Sequence, residues 1–262
     1  PDDEAYWEKV ADQFLLHPGL AYMNTGTKGP SPMSVHQAQS DALKGVNSDY
    51  KRYSSGVYTR DFRTDLKNKM AAFIGAKPEE VAFTNNTTEG MVFGTMGLDL
   101  KRGDEIIYTN HDHTGGVHPI LLRAAREGLE VKMIDLSDPM YHPPESPDVL
   151  LKAFEAAITP KTKLLSFCHI NYTDGGLMPV KEICAMARAR GVVTLVDGAQ
   201  PPGMMKLDMH DLGCDMYAGP CHKWMLASMY TGFLYLREDI IDRVSPYIYT
   251  GPTNGKTMYG DL

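Results

Sequence analysis

The sequence predicts an α/β fold with a mostly parallel sheet sandwiched by helices. Three observations carry the prediction. Short apolar, partly β-branched runs recur along the chain, as buried parallel strands do. Longer stretches with helical spacing separate them. That alternation implies right-handed crossovers and a sheet covered on both faces. The 262 residues suffice for a sizeable core, and 43% hydrophobic with 23% charged residues excludes a disordered or collagen-like chain.

Residues 1–75 read as an N-terminal helical arm packed on the sheet domain. The arm has a helix over 3–15, a Gly/Pro turn region over 24–32, and helical spacing over 35–50 and 59–74. Residues 76–250 read as the large α/β domain. Its strands are expected at 81–84, 105–108, 129–134, 163–167, 192–196, 215–218 and 231–237. Helices are expected directly after the first strand, over 114–127, 147–157 and 180–190, and from about 238. Gly191 stands where a helix C-cap is expected. Residues 137–147, rich in Pro, Ser and Asp, read as a surface loop, and 251–262 as a further loop.

The formal net charge is -7 and the pI about 5.7, which argues against a nucleic-acid partner. No run of about 18 apolar residues is present, so no membrane span is expected. Cys168, Cys184, Cys214 and Cys221 form no CxxC pair and lack zinc-finger spacing. They read as small buried hydrophobes in a reducing compartment, and a cytoplasmic location is expected. The chain begins at Pro1 rather than Met, so its start reads as processed or trimmed.

Ligands of open parallel sheets bind beyond the carboxyl ends of the strands, so the segment after each strand matters most. The first strand is followed by Asn85-Asn86-Thr87-Thr88-Glu89-Gly90 and a helix. Hydroxyls and N–H groups at a helix N-terminus suit phosphate; the plainer reading is N-capping by Asn86 or Thr87. The second leads into Asn110-His111-Asp112-His113-Thr114. A metal site lacks HExxH-type spacing here, whereas a histidine at a strand end can stack on a planar ligand or serve structure alone. The run 192–196 ends on Asp197-Gly198-Ala199-Gln200. A buried acid needs a charged partner, such as a protonated ring nitrogen, unless Asp197 is only a helix N-cap. The next strand precedes Gly219-Pro220-Cys221-His222-Lys223-Trp224. Desolvation of Lys223 would raise its free-amine fraction, as a Schiff base requires. Together, a phosphate cradle, a stacking histidine, an acid for a pyridine nitrogen and such a lysine are the parts that pyridoxal 5'-phosphate requires.

These residues resemble the class V aminotransferase family of fold-type I pyridoxal-phosphate enzymes, which includes cysteine desulfurases, selenocysteine lyases and isopenicillin N epimerase. The resemblance runs from about Tyr22 to the chain's end. Its most specific parts are Asp197-Gly198-Ala199-Gln200 and Cys221-His222-Lys223-Trp224, with Lys223 26 positions after Asp197. The Cys-His-Lys-Trp form and Asn24-Thr25-Gly26 look most like the epimerase branch. The resemblance implies the large domain of the fold-type I transferases and a homodimer acting on a small-molecule amino acid. Lys223 would hold the cofactor as a Schiff base and move the substrate Cα proton. Asp197 would pair with the ring nitrogen, His113 would stack on the ring, and Gln200 would bond its phenolic oxygen. Thr87, Thr88 and His222 would hold the phosphate. Residues 251–254 would lie near a neighbour's phosphate.

Three departures qualify the resemblance. Many members carry a serine where Pro220 stands, so the phosphate cup is expected to be built differently. A cofactor-contacting asparagine of the desulfurases falls by spacing on Tyr172, with Asn171 adjacent, and both remain candidates. The family's small C-terminal domain, with its arginine for the substrate carboxylate, is expected to be absent. Asn24, Arg60 and Arg63 are then the candidate substrate contacts, although the arginines also read as solvated helix charges. Epimerisation, transamination and C–S lyase chemistry all stay open beside the alternative of a truncated or non-catalytic cofactor-binding chain. A nicotinamide-dependent enzyme ranks lower, because no GxGxxG follows the first strand.

Overall fold

The computed structural model describes residues 3–57, 59–141 and 146–248, without the side chains of Val57 and Arg60. Seven strands form one sheet: β1 (Val81–Thr84), β2 (Glu105–Thr109), β3 (Glu130–Ile134), β4 (Thr162–Cys168), β5 (Val193–Asp197), β6 (Met216–Pro220) and β7 (Gly232–Leu236). Their order is β1-β7-β6-β5-β4-β2-β3. β2 pairs in parallel with β3 and β4, and β5 with β4 and β6. β7 alone is antiparallel, to both β1 and β6. β1 therefore points the same way as β6, and Thr84, Thr109, Cys168, Asp197 and Pro220 all finish at one edge.

The central strands are apolar throughout because alternate residues enter two different cores. Ile107, Leu165, Val196, Tyr217 and Phe233 pack on one face with Ile74, Phe154 and Ile183. These come from α4 (Arg60–Ile74), α7 (Pro147–Ala157) and α8 (Val180–Ala189). Ile106, Leu164, Leu195, Met216 and Leu234 face the other way, onto Met91 and Ile120, which belong to α5 (Thr87–Gly97) and α6 (Thr114–Glu127). A fully buried side chain of this size stabilises by about 1.5–3 kcal/mol. Helix α5 lies close on β6: a Cβ at Gly90 would stand 2.7 Å from that of Ala218. This seats the N-terminus of α5 at the edge where the strands end.

The arm contributes α1 (Glu4–Ala11), α2 (Met33–Ser48), α3 (Tyr50–Val57) and α4. Local caps define α1 and α4. Asp3 accepts the N–H of Tyr6 to open α1, Thr59 accepts that of Phe62 to open α4, and Gly75 at φ 65 closes α4. Neither α1 nor α2 buries a residue. Only the last turn of α4 enters the sheet's core, through Met70, Ala71 and Ile74.

Some boundaries differ from expectation. The helix expected over 3–15 stops at Ala11. That expected over 35–50 runs over Met33–Ser48, and Asp49, at φ -155, interrupts the chain and accepts the N–H of Arg52 in α3. A side chain that bonds local backbone in this way competes with the helix. The helix expected from about 238 is a 3-10 turn, Glu238–Arg243. A four-residue helix, α9 (Met209–Leu212), was not anticipated. Asp215 precedes β6 rather than joining it; its carboxylate accepts the N–H and hydroxyl of Thr194 at 2.7 and 2.8 Å. Residues 251–262, and part of the loop expected at 137–147, lie outside the described residues. Among the described residues no helix is long and apolar enough to cross a membrane.

Candidate active site

A cavity of about 350 Å³ opens at the shared strand edge. Asp197, the last residue of β5, forms its floor and is 5% exposed. Its Oδ1 accepts the N–H of Ala199 at 2.9 Å. Burial pushes its carboxyl up, against that hydrogen bond and the charges of Lys223 and His113. Beneath it, the Nδ1 of His169 and the hydroxyl of Tyr217 are 3.0 Å apart, and the His169 N–H reaches the Asp197 carbonyl at 2.9 Å. Burial lowers the imidazole of His169 to about 4, so it is neutral at physiological pH. A Cβ at Gly198 would lie 1.8 Å from the Tyr217 ring. The glycine after the acid is thus what lets this support come close.

Lys223 faces Asp197 across the cavity from the turn that follows β6. The turn is tight. The N–H of Cys221 reaches the Thr231 carbonyl at 2.8 Å, and that of Ala227 reaches the Cys221 carbonyl at 2.9 Å. Leu226 and Tyr230 hold φ of 58 and 60, a conformation costing about 1–3 kcal/mol each outside glycine, and such strain clusters at functional sites. Lys223 is half-buried, and burial lowers its pKa against the pull of Asp197 and Cys168. Beside it, His222 donates from Nδ1 to the Thr231 carbonyl at 3.1 Å, which leaves Nε2 for the cavity.

The third wall is the start of α5. Asn86 is its N-cap and accepts the N–H of Glu89, and the carbonyl of Asn86 takes the N–H of Gly90. The N–H groups of Thr87 and Thr88, first in the helix, are left for a ligand together with their hydroxyls. His113 stands opposite as N-cap of α6; its Nδ1 accepts from Gly115 at 3.0 Å. The edge of Tyr172 meets its ring, with centroids 4.7 Å apart and planes at 84°. Both bonds and packing fix the plane of that imidazole.

A segment of the arm closes the mouth. Gln200 donates to the Gly26 carbonyl at 3.1 Å while its Oε1 accepts from the Trp224 indole at 2.7 Å. The Gly29 N–H reaches the His222 carbonyl at 3.0 Å, and Ser31 Oγ donates to the Ala227 carbonyl at 2.8 Å. A Cβ at Gly29 would stand 1.9 Å from the Lys223 carbonyl oxygen, so only glycine passes there.

The cavity thus gathers Thr87, Thr88, His113, Tyr172, Asp197, Gln200, His222 and Lys223. Asn171 is not on its wall. It is buried in the turn below, its N–H on the Gly176 carbonyl at 2.8 Å. Asn24 is exposed beside the mouth and its carbonyl accepts from Thr27 and Lys28. Arg63 is exposed on α4, away from the cavity lining, and the side chain of Arg60 lies outside the described part. Thr27, Asn86 and Ala199 line the cavity without having been given a role toward the cofactor. Asn86 carried a capping signal; Thr27 carried none, because its position depends on where the arm docks.

These walls fit pyridoxal phosphate. A buried acid keeps Oδ2 uncommitted, an amine has a lowered pKa, a ring edge is held in place, and unpaired N–H groups at a helix start suit a phosphate. Comparison with known proteins agrees. The family model described as aminotransferase class-V matches residues 23–259. Isopenicillin N epimerase of Streptomyces clavuligerus is 32% identical over 245 residues, covering 92% of this chain and 60% of that one. A probable cysteine desulfurase of Methanothermobacter thermautotrophicus is 30% identical over 234 residues, covering 88% and 56%. A solved variant of C-DES with glycine covalently linked to its PLP cofactor superimposes with a TM-score of 0.80 at 26% identity, covering 95% of this chain and 65% of that one. The chain therefore spans about three fifths of the length of these relatives.

Proposed function

The chain belongs to the class-V aminotransferase family, and from that premise we propose that it acts on an amino acid by removing its Cα proton, with Lys223 as the covalent anchor of pyridoxal phosphate. One observation carries the reading: Lys223 and Asp197 face each other across one cavity at the ends of neighbouring strands. When bound, pyridoxal phosphate supplies an electron sink that makes the Cα proton of an attached amino acid acidic. The chain's residues do the rest. Lys223, its pKa lowered by burial, offers a neutral amine for attachment and then takes and returns a proton at Nζ. Asp197 holds the proton of the ring nitrogen. His113 covers the ring face, kept in plane by Gly115 and Tyr172. Thr87, Thr88 and the first N–H groups of α5 hold the phosphate. Because Nδ1 of His222 is committed to a carbonyl, its Nε2 can donate to that phosphate only from the protonated ring. Gln200, which gives one amide N–H to the Gly26 carbonyl, keeps a second to donate to the ring oxygen.

Thiol placement bears on the reaction's outcome. Cys168, Cys184, Cys214 and Cys221 are all buried. Burial pushes Cys184 up to about 12 and Cys221 up to about 11, and raises Cys168 and Cys214 as well. None suits a nucleophilic thiolate, so none of these four cysteines is the nucleophile of a desulfuration, and epimerisation, transamination and C–S lyase chemistry all fit the residues present. The reading includes a homodimer, supported by the apolar side chains that the arm exposes outside α2, Tyr6, Tyr50 and Phe62 among them.

Borohydride reduction after addition of pyridoxal phosphate, followed by peptide mapping, tests the reading. The reduced adduct is expected on Lys223. Lys223→Ala is expected to lose it and to slow exchange of substrate Cα–H with deuterated solvent on the order of 10²–10⁴-fold. An adduct on another side chain, or none, ends the proposal.

A further inference from the structure

Trp224 follows Lys223 directly and has no task in the chemistry proposed above. Its indole donates to Oε1 of Gln200 at 2.7 Å, and Nε2 of Gln200 donates to the Gly26 carbonyl at 3.1 Å. An indole N–H can only donate and a backbone carbonyl can only accept. The two bonds therefore leave the amide one orientation, with its oxygen on the indole and its nitrogen on the arm. Turned over, it would set N–H₂ against the indole N–H and oxygen against the carbonyl. The backbone around it keeps these partners in register. Oδ1 of Asp197 takes the N–H of Ala199 and shapes the turn that carries Gln200. Further along that turn Gly203, at φ 88, passes so close that a Cβ there would stand 2.5 Å from the Trp224 carbonyl. Trp224 thus bridges the turn of the amine and the turn of the acid. One amide hydrogen of Gln200 is spent on Gly26, and the other remains for the cavity that Gln200 lines.

We infer that Trp224 is a positioning residue: its indole N–H, with the Gly26 carbonyl, fixes the Gln200 amide so that it shows the cavity a donor and not an acceptor. The inference rests on the pyridoxal reading above, in which that donor meets the ring's phenolic oxygen. A donor there competes for the oxygen with the proton that the oxygen shares with Nζ of Lys223, so that proton leaves at lower pH. When the donor is lost or misdirected, the proton stays to higher pH. Trp224 touches neither the cofactor nor the reacting atoms and acts through Gln200 alone.

Two measurements test this, and the first needs no cofactor. The chain has two tryptophans, so Trp7→Phe leaves the Trp224 indole as the single indole N–H resonance. Gln200→Met, a side chain of like length without an acceptor, is expected to speed its exchange with deuterium by about 2–10-fold. An unchanged rate overturns the inference whether or not the chain binds a cofactor. The second measurement follows the visible absorbance of the chain loaded with pyridoxal phosphate as pH is raised. Gln200→Met is expected to move the midpoint up by about 1–2 pH units. Trp224→Phe is expected to move it up by less, because Gly26 still holds the nitrogen. His113, Tyr172, Asp197, His222 and Lys223 face the same cavity and are common to wild type and variants, so they set the midpoint and not the differences. Beside Gln200→Met, Trp224→Phe is expected to add nothing. A folded Trp224→Phe with the wild-type midpoint, or one whose shift persists beside Gln200→Met, overturns the inference. Should Trp224→Phe not fold, the exchange experiment, which leaves Trp224 in place, still decides. A wild-type chain that gains no visible absorbance sinks the pyridoxal reading, and the exchange rates then decide alone whether Trp224 holds Gln200.

Discussion

The sheet and the arm are built from equally good helices and differ in what those helices cover. Every helix on the sheet's faces sends large side chains to zero or near-zero exposure, such as Ile120 from α6 and Phe154 from α7. In the arm, α1 is capped and both α1 and α2 are amphipathic, yet they bury nothing. Helical hydrogen bonds alone are marginal at such lengths, so the sheet stands by its own packing and the arm borrows its place. The candidate site joins the two. Asp197, Lys223 and the start of α5 follow strand ends, whereas its mouth is the arm segment held by Gln200, Gly29 and Ser31.

The largest stability effect expected from this difference is in the sheet's own core. Phe154 is fully buried and packs edge-on against Phe167, with ring centroids 5.4 Å apart. Phe154→Ala is expected to cost about 3–5 kcal/mol, read as a shift in the urea midpoint with an unchanged slope. A cost under about 1 kcal/mol would mean that the face under α7 is not a packed core.

A smaller effect belongs to the seam. Glu80, 2% exposed, closes the 3-10 turn Pro78–Glu80 between α4 and β1. It accepts the N–H of Lys77 at 2.9 Å, the N–H of Glu238 at 3.1 Å and lies 2.7 Å from Nε2 of His210. Burial works against its charge, but these bonds outweigh it and lower the pKa. A lowered acid lends stability that is full above its unfolded value, about 4.3, and is lost as pH falls through the folded value. Glu80→Gln is therefore expected to cost about 1.5–3 kcal/mol near neutral pH. The gap to wild type should close on acidification below about pH 4.3. A gap that does not change with pH would show that the carboxylate's charge contributes nothing.

The seven strands were legible because doubly covered parallel strands must be apolar along their whole length. The direction of β7 was not: Gly232–Leu236 is as apolar as its neighbours, and no local pattern records that it runs against them. The site motifs were legible for a related reason, since each follows a strand and topology brings strand ends together. The choice between Asn171 and Tyr172 was not open to spacing, because one residue along a turn reverses the side chain's direction. Asp112 read as part of a histidine-rich segment; its bond from the Thr109 N–H is local, and only the approach of β4 reveals the second, from the Cys168 N–H. The break at Asp49 was missed because Asp tolerates both helix and turn.

The smallest expected effect tests the arm. Leu43, on α2, is 64% exposed. Leu43→Ala removes little buried area and is expected to shift stability by no more than about 0.5 kcal/mol. The same urea experiment at two protein concentrations decides what the arm rests on. A cost that stays small and independent of concentration means that α2 is solvated, and the arm is held by its mouth segment and the last turn of α4 alone. A cost approaching that of Phe154→Ala, and growing with protein concentration, means that α2 is covered by a second copy. In that case the contrast between the two regions is one of whose core they belong to, and no longer one of whether they have any.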